Sequence, residues 1–85
     1  MRYTIHYKPA AFRQLAALPE ATRVRVEAAI ERLSENPFPP KVTKMVGEPP
    51  RWRIRIGDYR VVYEIHSNVL LVLVVAVGHR KDIYR

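Results

Sequence analysis

The chain has 85 residues, no cysteine and a formal net charge of +7, from 15 lysines and arginines against 8 acidic residues. A chain of this length buries only a little over ~60% of its unfolded surface, so we expect one domain, residues 1–85, with a thin core. The lack of cysteine excludes disulfides and thiolate metal sites, and no apolar run is long enough to span a bilayer. We therefore expect a cytoplasmic protein with no membrane partner. Its positive charge attracts polyanions, and the eleven arginines among its cations favour nucleic acid.

The first part of the chain predicts one strand followed by two helices. Alternating apolar and polar residues indicate a half-buried strand over residues 2–7. Pro9 is favourable in the first turn of a helix, and Pro19 separates that helix from a second one, which runs from residue 20 to about 35. Arg32 falls among the polar residues that we expect on the outer face of the second helix. Two helices joined so closely predict an antiparallel αα-hairpin that covers one face of a sheet.

The second part predicts three antiparallel strands. Residues 37–50 contain five prolines and one glycine, and we interpret this segment as an ordered loop. A β-hairpin follows over residues 51–65. Residues 69–77 are an unbroken apolar run, typical of a central strand that is covered on both faces. The expected fold class is α+β, an antiparallel-rich sheet of four strands with an αα-hairpin on one face, in the order β-αα-βββ.

The β-hairpin is the most informative segment, because it carries arginines at alternating positions. Arg53 and Arg55 point to one side of its first strand, while the apolar residues between them point to the other. Gly57 and Asp58 suit a two-residue type II′ turn, which places Arg55 opposite Arg60. The three arginines therefore share one surface, which we expect on the face of the sheet away from the helices.

Two interpretations of this arginine surface stay open. Like charges directly opposite each other, such as Arg55 and Arg60, destabilise a hairpin by up to ~1 kcal/mol. The arginines are either a solvated outer face tied to acids such as Glu64, or an anion-binding surface. Residues 51–60 hold four arginines against one aspartate and no glutamate. This imbalance favours anion binding.

Two motifs, GDYRVVYEI at residues 57–65 and VVAVGHRKDIYR at residues 74–85, occur together with the predicted β-αα-βββ order. In these features the chain resembles the RelE/ParE superfamily of bacterial type II toxins, and in particular its RelE branch. The resemblance covers essentially the whole chain. It implies a ribosome-dependent mRNA endoribonuclease that cleaves by attack of the ribose 2′-OH, without a metal or another cofactor. It also implies three partners, namely the ribosome, mRNA and a small antitoxin protein.

The resemblance implies roles for individual residues. The cations that bind and activate the scissile phosphate fall on Arg53, Arg55, Arg60 and Arg80, and the tyrosine that stacks on a nucleotide falls on Tyr84. RelE-like chains commonly have lysines at the first two positions, and guanidinium is a very poor base. We therefore assign the proton-accepting role to His79, because imidazole exchanges a proton readily near pH 7. The other basic residues that we expect to contact RNA are Lys41, Lys44, Arg51, Lys81 and Arg85.

Two other functions stay open. One is a ParE-type toxin that inhibits DNA gyrase without nuclease activity, although ParE-like chains usually lack the full set of catalytic cations. The other is a catalytically degraded homologue that still binds nucleic acid but has lost cleavage with the missing lysines. His6 and His66 are expected to be exposed strand or turn residues, so we predict no metal site.

Overall fold

The computed structural model describes residues 2–79, which contain two helices and five strands. Neither helix is both long enough and apolar enough to cross a membrane. The elements are β1 (Thr4–Tyr7), α1 (Pro9–Ala16), α2 (Glu20–Arg32), β2 (Thr43–Met45), β3 (Arg51–Ile56), β4 (Tyr59–His66) and β5 (Leu71–His79), with a 3-10 turn (Ser67–Val69) between β4 and β5.

The strands form one mixed sheet in the order β1-β5-β4-β3-β2. β5 pairs in parallel with β1 and antiparallel with β4, as befits an apolar strand with neighbours on both sides. The α+β fold class is confirmed, but the sheet has five strands in the described residues rather than the expected four. The additional strand is β2, which lies in the proline-rich segment that we interpreted as a loop. Three residues are too few to show an alternating pattern, so only their pairing with β3 reveals this strand.

Prolines set the beginning of both helices, as predicted, but α2 ends earlier than expected. Pro19 lies at the N-cap of α2, and Arg32 is its last residue, three residues before the expected end. The chain then turns, and the Ser34 hydroxyl donates to the Glu31 carbonyl at 2.7 Å. The Tyr3 amide donates to the Ser34 carbonyl at 2.7 Å. The segment that follows α2 is therefore anchored beside the N-terminal strand.

The hydrophobic core lies between the helices and one face of the sheet. Tyr63 is its largest fully buried side chain, and burial raises the pKa of the Tyr63 hydroxyl. That hydroxyl donates to the Pro37 carbonyl at 2.7 Å, which satisfies a polar group that would otherwise be costly to bury. The buried apolar residues are Ala11, Leu15, Val26, Ile30 and Leu33 from the helical side, and Ile54, Val61, Tyr63, Val72, Val74 and Val77 from the strands.

The hairpin formed by β3 and β4 has the predicted register. Arg55 lies opposite Arg60, and Arg53 is on the same side of β3 as Arg55. Gly57 has a φ of +60° and Asp58 does not have a positive φ, which is the pattern of a type II′ turn. Alternation therefore directs all three arginines away from the core-facing residues of the hairpin.

Candidate functional site

A cleft of about 910 Å³ opens at the edge of the sheet, between α2 and β3. β2 pairs only with the first three residues of β3, so within residues 2–79 the edge of β3 beyond Arg53 has no neighbouring strand. The segment that leads from α2 to β2 forms the third wall. The cleft is lined by Ala29, Arg32, Leu33, Glu35, Asn36, Pro39, Pro40, Lys41 and Thr43 from the helix and this segment, and by Arg53, Ile54, Arg55, Gly57 and Arg60 from the hairpin.

Among the residues that the structure describes, five cations and one carboxylate line the cleft. The carboxylate, Glu35, is held by Arg2, whose Nη2 lies 2.9 Å from Glu35 Oε1. Its negative charge is therefore matched by a cation from outside the lining. A concave surface with this excess of positive charge attracts anions. The five cations are Arg32, Lys41, Arg53, Arg55 and Arg60.

Arg55 and Arg60 are cross-strand partners, and both line the turn end of the cleft. Arg60 is only 8% exposed, whereas Arg55 is exposed. Arg55 Nε donates to the Gly57 carbonyl at 3.2 Å, and Arg60 Nη1 donates to the Tyr59 carbonyl at 3.4 Å. Burial of a cation and the facing of like charges are both unfavourable. Both side chains line the cleft and place positive charge at this end of it.

Lys41 reaches the cleft through an unusual backbone conformation. Its φ is 69°, in the left-handed region that residues with a Cβ rarely adopt. The turn is closed by the Val42 amide, which donates to the Pro39 carbonyl at 3.2 Å. Such backbone outliers concentrate at functional sites. The turn places Lys41 and Thr43 in the lining, as we expected for Lys41 but not for Thr43.

Arg51, which begins the row of arginines on β3, is not part of the lining. Its Nε donates to Glu64 Oε2 at 3.2 Å, and Glu64 Oε1 lies 3.0 Å from His66 Nε2. Burial raises the pKa of Glu64, but the hydrogen bonds from His66 and Arg51 outweigh it and hold the pKa below its usual range. The charge of Arg51 is thus balanced by a buried carboxylate.

Among residues 2–79, the structure contains no group of three or more side chains that could bind a metal ion.

Lys44 and His79 also lie outside the lining. Lys44 Nζ is 5.6 Å from the centroid of the Trp52 ring. His79 pairs with Tyr59 across β4 and β5 and packs edge-on against it, with ring centroids 5.6 Å apart. Because Arg60 follows Tyr59 in β4, His79 is on the opposite face of the sheet from Arg60. The structure does not bring His79 into the cleft, and its role as a base stays a prediction.

Four of the residues predicted for the site, Arg80, Lys81, Tyr84 and Arg85, lie outside the described residues. Arg32 is a cation of the cleft that the sequence analysis did not predict as a site residue. The sequence pattern instead assigned Arg32 to the outer face of α2. A signal was nonetheless present. Arg25, Ala29 and Arg32 recur at helical spacing, so they lie on one stripe of the helix. This pattern indicates that Arg25 and Arg32 share one surface, with a small alanine side chain between them.

Comparisons with known proteins find relatives along nearly the whole chain. The family model described as "ParE toxin of type II toxin-antitoxin system, parDE" matches residues 5–84. Toxin RelG of Mycobacterium tuberculosis is 35% identical, and the alignment covers 100% of this chain and 99% of RelG. These matches include both the hairpin and the segment from α2 to β2 that form the cleft.

Two solved structures have a closely similar fold. The archaeal RelE-RelB complex from Pyrococcus horikoshii OT3 matches with a TM-score of 0.83 and 25% identity, covering 96% of this chain and 99% of the matched chain. The toxin-antitoxin complex RelBE2 from Mycobacterium tuberculosis matches with a TM-score of 0.79 and 29% identity, covering 94% and 100%. The fold that holds the cleft is therefore the fold of these proteins.

Proposed function

The chain belongs to the RelE/ParE superfamily of type II toxin-antitoxin toxins, and on that premise we propose that it is a ribosome-dependent endoribonuclease that cleaves mRNA. The observation that carries this proposal is the meeting of Arg53, Arg55 and Arg60 in one cleft with Lys41 and Arg32. Guanidinium groups bind phosphate oxygens bidentately, so several of them around one cleft suit an RNA backbone.

In the proposed reaction, the ribose 2′-oxygen attacks the adjacent phosphorus in line with the 5′-oxygen. A bond forms between phosphorus and the 2′-oxygen and the bond to the 5′-oxygen breaks, which yields a 2′,3′-cyclic phosphate and a 5′-hydroxyl. The 2′-OH proton passes to a base, and the leaving 5′-oxygen takes a proton from an acid. Negative charge grows on the phosphorane oxygens, where Arg53, Arg55 and Arg60 stabilise it. Arginine stays protonated at physiological pH, so these three residues supply charge and not the base.

We propose that a small antitoxin protein is a partner of this chain. The matched structures from Pyrococcus horikoshii and Mycobacterium tuberculosis are a RelE-RelB complex and a toxin-antitoxin complex. An uncovered cleft with five cations attracts RNA without regard to sequence, so the cell needs a means of masking it. An acidic segment of a partner protein supplies the complementary charge.

A second candidate is ParE-type inhibition of DNA gyrase without RNA cleavage. The description of the matching family model as a ParE toxin favours it. The arginines of the cleft oppose it, because ParE-like chains usually lack the full set of catalytic cations. A third candidate is a homologue that binds nucleic acid but no longer cleaves it.

Mapping mRNA ends in a reconstituted translation system tests the proposal. We expect codon-phased cuts in the ribosomal A site with the wild-type chain, and a loss of at least ~100-fold in cutting with Arg60→Ala, because Arg60 stabilises the transition state. The matched control is Arg13→Ala, which removes the same charge from an exposed position on α1 and should cut as the wild type does. Circular dichroism confirms that each variant is folded.

The other outcomes separate the candidates. Inhibition of DNA gyrase without cut mRNA would support the ParE-type activity. RNA binding with neither effect would support the inactive homologue. Full cutting activity in a folded Arg60→Ala variant would remove the cleft from the catalytic mechanism.

A further inference from the structure

The wall of the cleft formed by α2 carries positive charge that the proposed cleavage chemistry does not use. Arg25, Ala29 and Arg32 lie at positions i, i+4 and i+7, so they share one stripe of α2. Ala29 and Arg32 line the cleft. Arg25 Nη2 lies 3.6 Å from the point that a Cβ on Gly57 would occupy, and Gly57 is at the turn end of the cleft. The stripe thus follows the cleft from the hairpin turn to the segment after α2.

The two arginines of this stripe form no ion pair with another part of the described chain. Both are exposed, and no carboxylate among residues 2–79 lies within ion-pair distance of Arg25 or Arg32. Arg23 on the same helix differs, because its Nε lies 3.9 Å from Glu27 Oε1. The charges of Arg25 and Arg32 are therefore available to a ligand.

The spacing of the charges suits an extended polyanion. Arg32 lies seven positions after Arg25, which is ~10 Å along the helix axis. On the opposite wall, Arg53 and Arg55 are two residues apart on β3, a distance of ~7 Å. A single phosphate at Arg55 and Arg60 does not span the distance between the two helix arginines. A backbone with successive phosphates contacts both walls.

We propose that Arg25 and Arg32 form a second phosphate-binding track, which holds the backbone of single-stranded RNA beside the scissile phosphate. The inference rests on the proposed function, because it takes RNA as the occupant of the cleft. The two residues contact phosphates away from the reacting atoms. Their loss therefore weakens substrate binding, seen in Kd and KM, while kcat changes less.

The test is the binding of a short, fluorescently labelled single-stranded RNA whose 2′-hydroxyls are all methylated, so that it cannot be cut. Fluorescence anisotropy gives Kd for the full chain between ~50 and ~200 mM salt. We expect Arg25→Ala and Arg32→Ala each to weaken binding several-fold and to reduce the slope of log K against log salt by about 0.7. The control, Arg13→Ala, removes an equal charge from α1 and should keep the wild-type slope. Arg32→Lys should restore the slope, because lysine keeps the charge.

Three results would overturn the inference. The first is that the wild-type chain does not bind this RNA at low salt. The second is that Arg25→Ala and Arg32→Ala change binding no more than Arg13→Ala does. The third is that the two arginines are needed for binding of a polyglutamate peptide but not for binding of the RNA. Failure of the proposed function looks different. In that case the arginine variants weaken RNA binding as expected, yet translating ribosomes yield no cut mRNA.

Discussion

The arginine row on β3 consists of Arg51, Arg53 and Arg55, which occupy alternate positions. Its two ends have opposite electrostatic surroundings. At one end, Arg51 donates to the buried carboxylate of Glu64 on β4. At the other end, Arg55 faces Arg60 on the same strand β4. Alternation along β3 decides only the face on which an arginine lies. Its cross-strand neighbour decides whether its charge meets a carboxylate or another cation.

The two ends also differ in what the fold gains from them. A buried carboxylate that accepts charged hydrogen bonds depends on its partners, because their removal leaves it unsatisfied. Facing guanidinium groups have the reverse effect and oppose pairing of the strands. The Glu64 end therefore contributes to the stability of the sheet, whereas at the Arg60 end two like charges face each other across the strands.

Alanine substitution at neighbouring positions of the row is the sharpest test of this comparison. Arg53→Ala should reduce mRNA cutting by at least ~100-fold, because Arg53 faces the cleft. The loss of cutting in Arg51→Ala should be at least tenfold smaller than the loss in Arg53→Ala. Arg51→Ala should, however, lower the free energy of unfolding by ~1–2 kcal/mol. The side chain of Arg51 is 40% exposed, so solvent screening limits that loss. End mapping and urea unfolding measure the two effects, and equal loss of cutting in both folded variants would contradict the comparison.

Acid unfolding tests the Glu64 end on its own. The hydrogen bonds from His66 and Arg51 outweigh burial and lower the pKa of Glu64 from its ordinary value of 4.5. The unfolded chain therefore binds this proton at a higher pH than the folded chain does. The stability that Glu64 contributes is present above its ordinary pKa and is lost as the pH falls through the lowered folded value. Urea unfolding as a function of pH should show this loss in the wild type and a flatter acid limb in Glu64→Gln, and identical acid limbs would show that Glu64 does not contribute.

Relief of the like-charge pair is the smallest effect and has the opposite sign. Arg55→Thr removes the repulsion with Arg60 and introduces a residue that favours strands, at the loss of one exposed hydrogen bond to Gly57. Stability should be kept or raised by up to ~1 kcal/mol, while binding of the methylated RNA weakens. Thermal unfolding and fluorescence anisotropy measure the two changes. A loss of more than ~1 kcal/mol of stability would mean that Arg55 supports the hairpin rather than strains it.

The hairpin and the helices show how much of this fold is predictable from local patterns. Alternation and the Gly57-Asp58 turn predict the pairing of Arg55 with Arg60, and the structure confirms it. Pro9 and Pro19 likewise mark where α1 and α2 begin. β2 shows the limit, because its three residues carry no periodic signal and its pairing depends on β3. Alternation, turn residues and prolines act over a few neighbouring residues. They therefore predict the hairpin and the helix starts, but not a short strand whose pairing depends on another part of the chain.

The sequence by itself determined which arginines share a face of the hairpin, because side-chain direction in a strand alternates and a two-residue turn sets the register. It also determined the strong positive charge and the motifs that indicate the superfamily. Only the tertiary structure decided that Arg32 and Lys41 join Arg53, Arg55 and Arg60 in one cleft, while Arg51 is matched by Glu64. The reason is that the cleft is formed between residues 29–43 and 53–60, which are separate in the chain and meet only when the helices pack on the sheet.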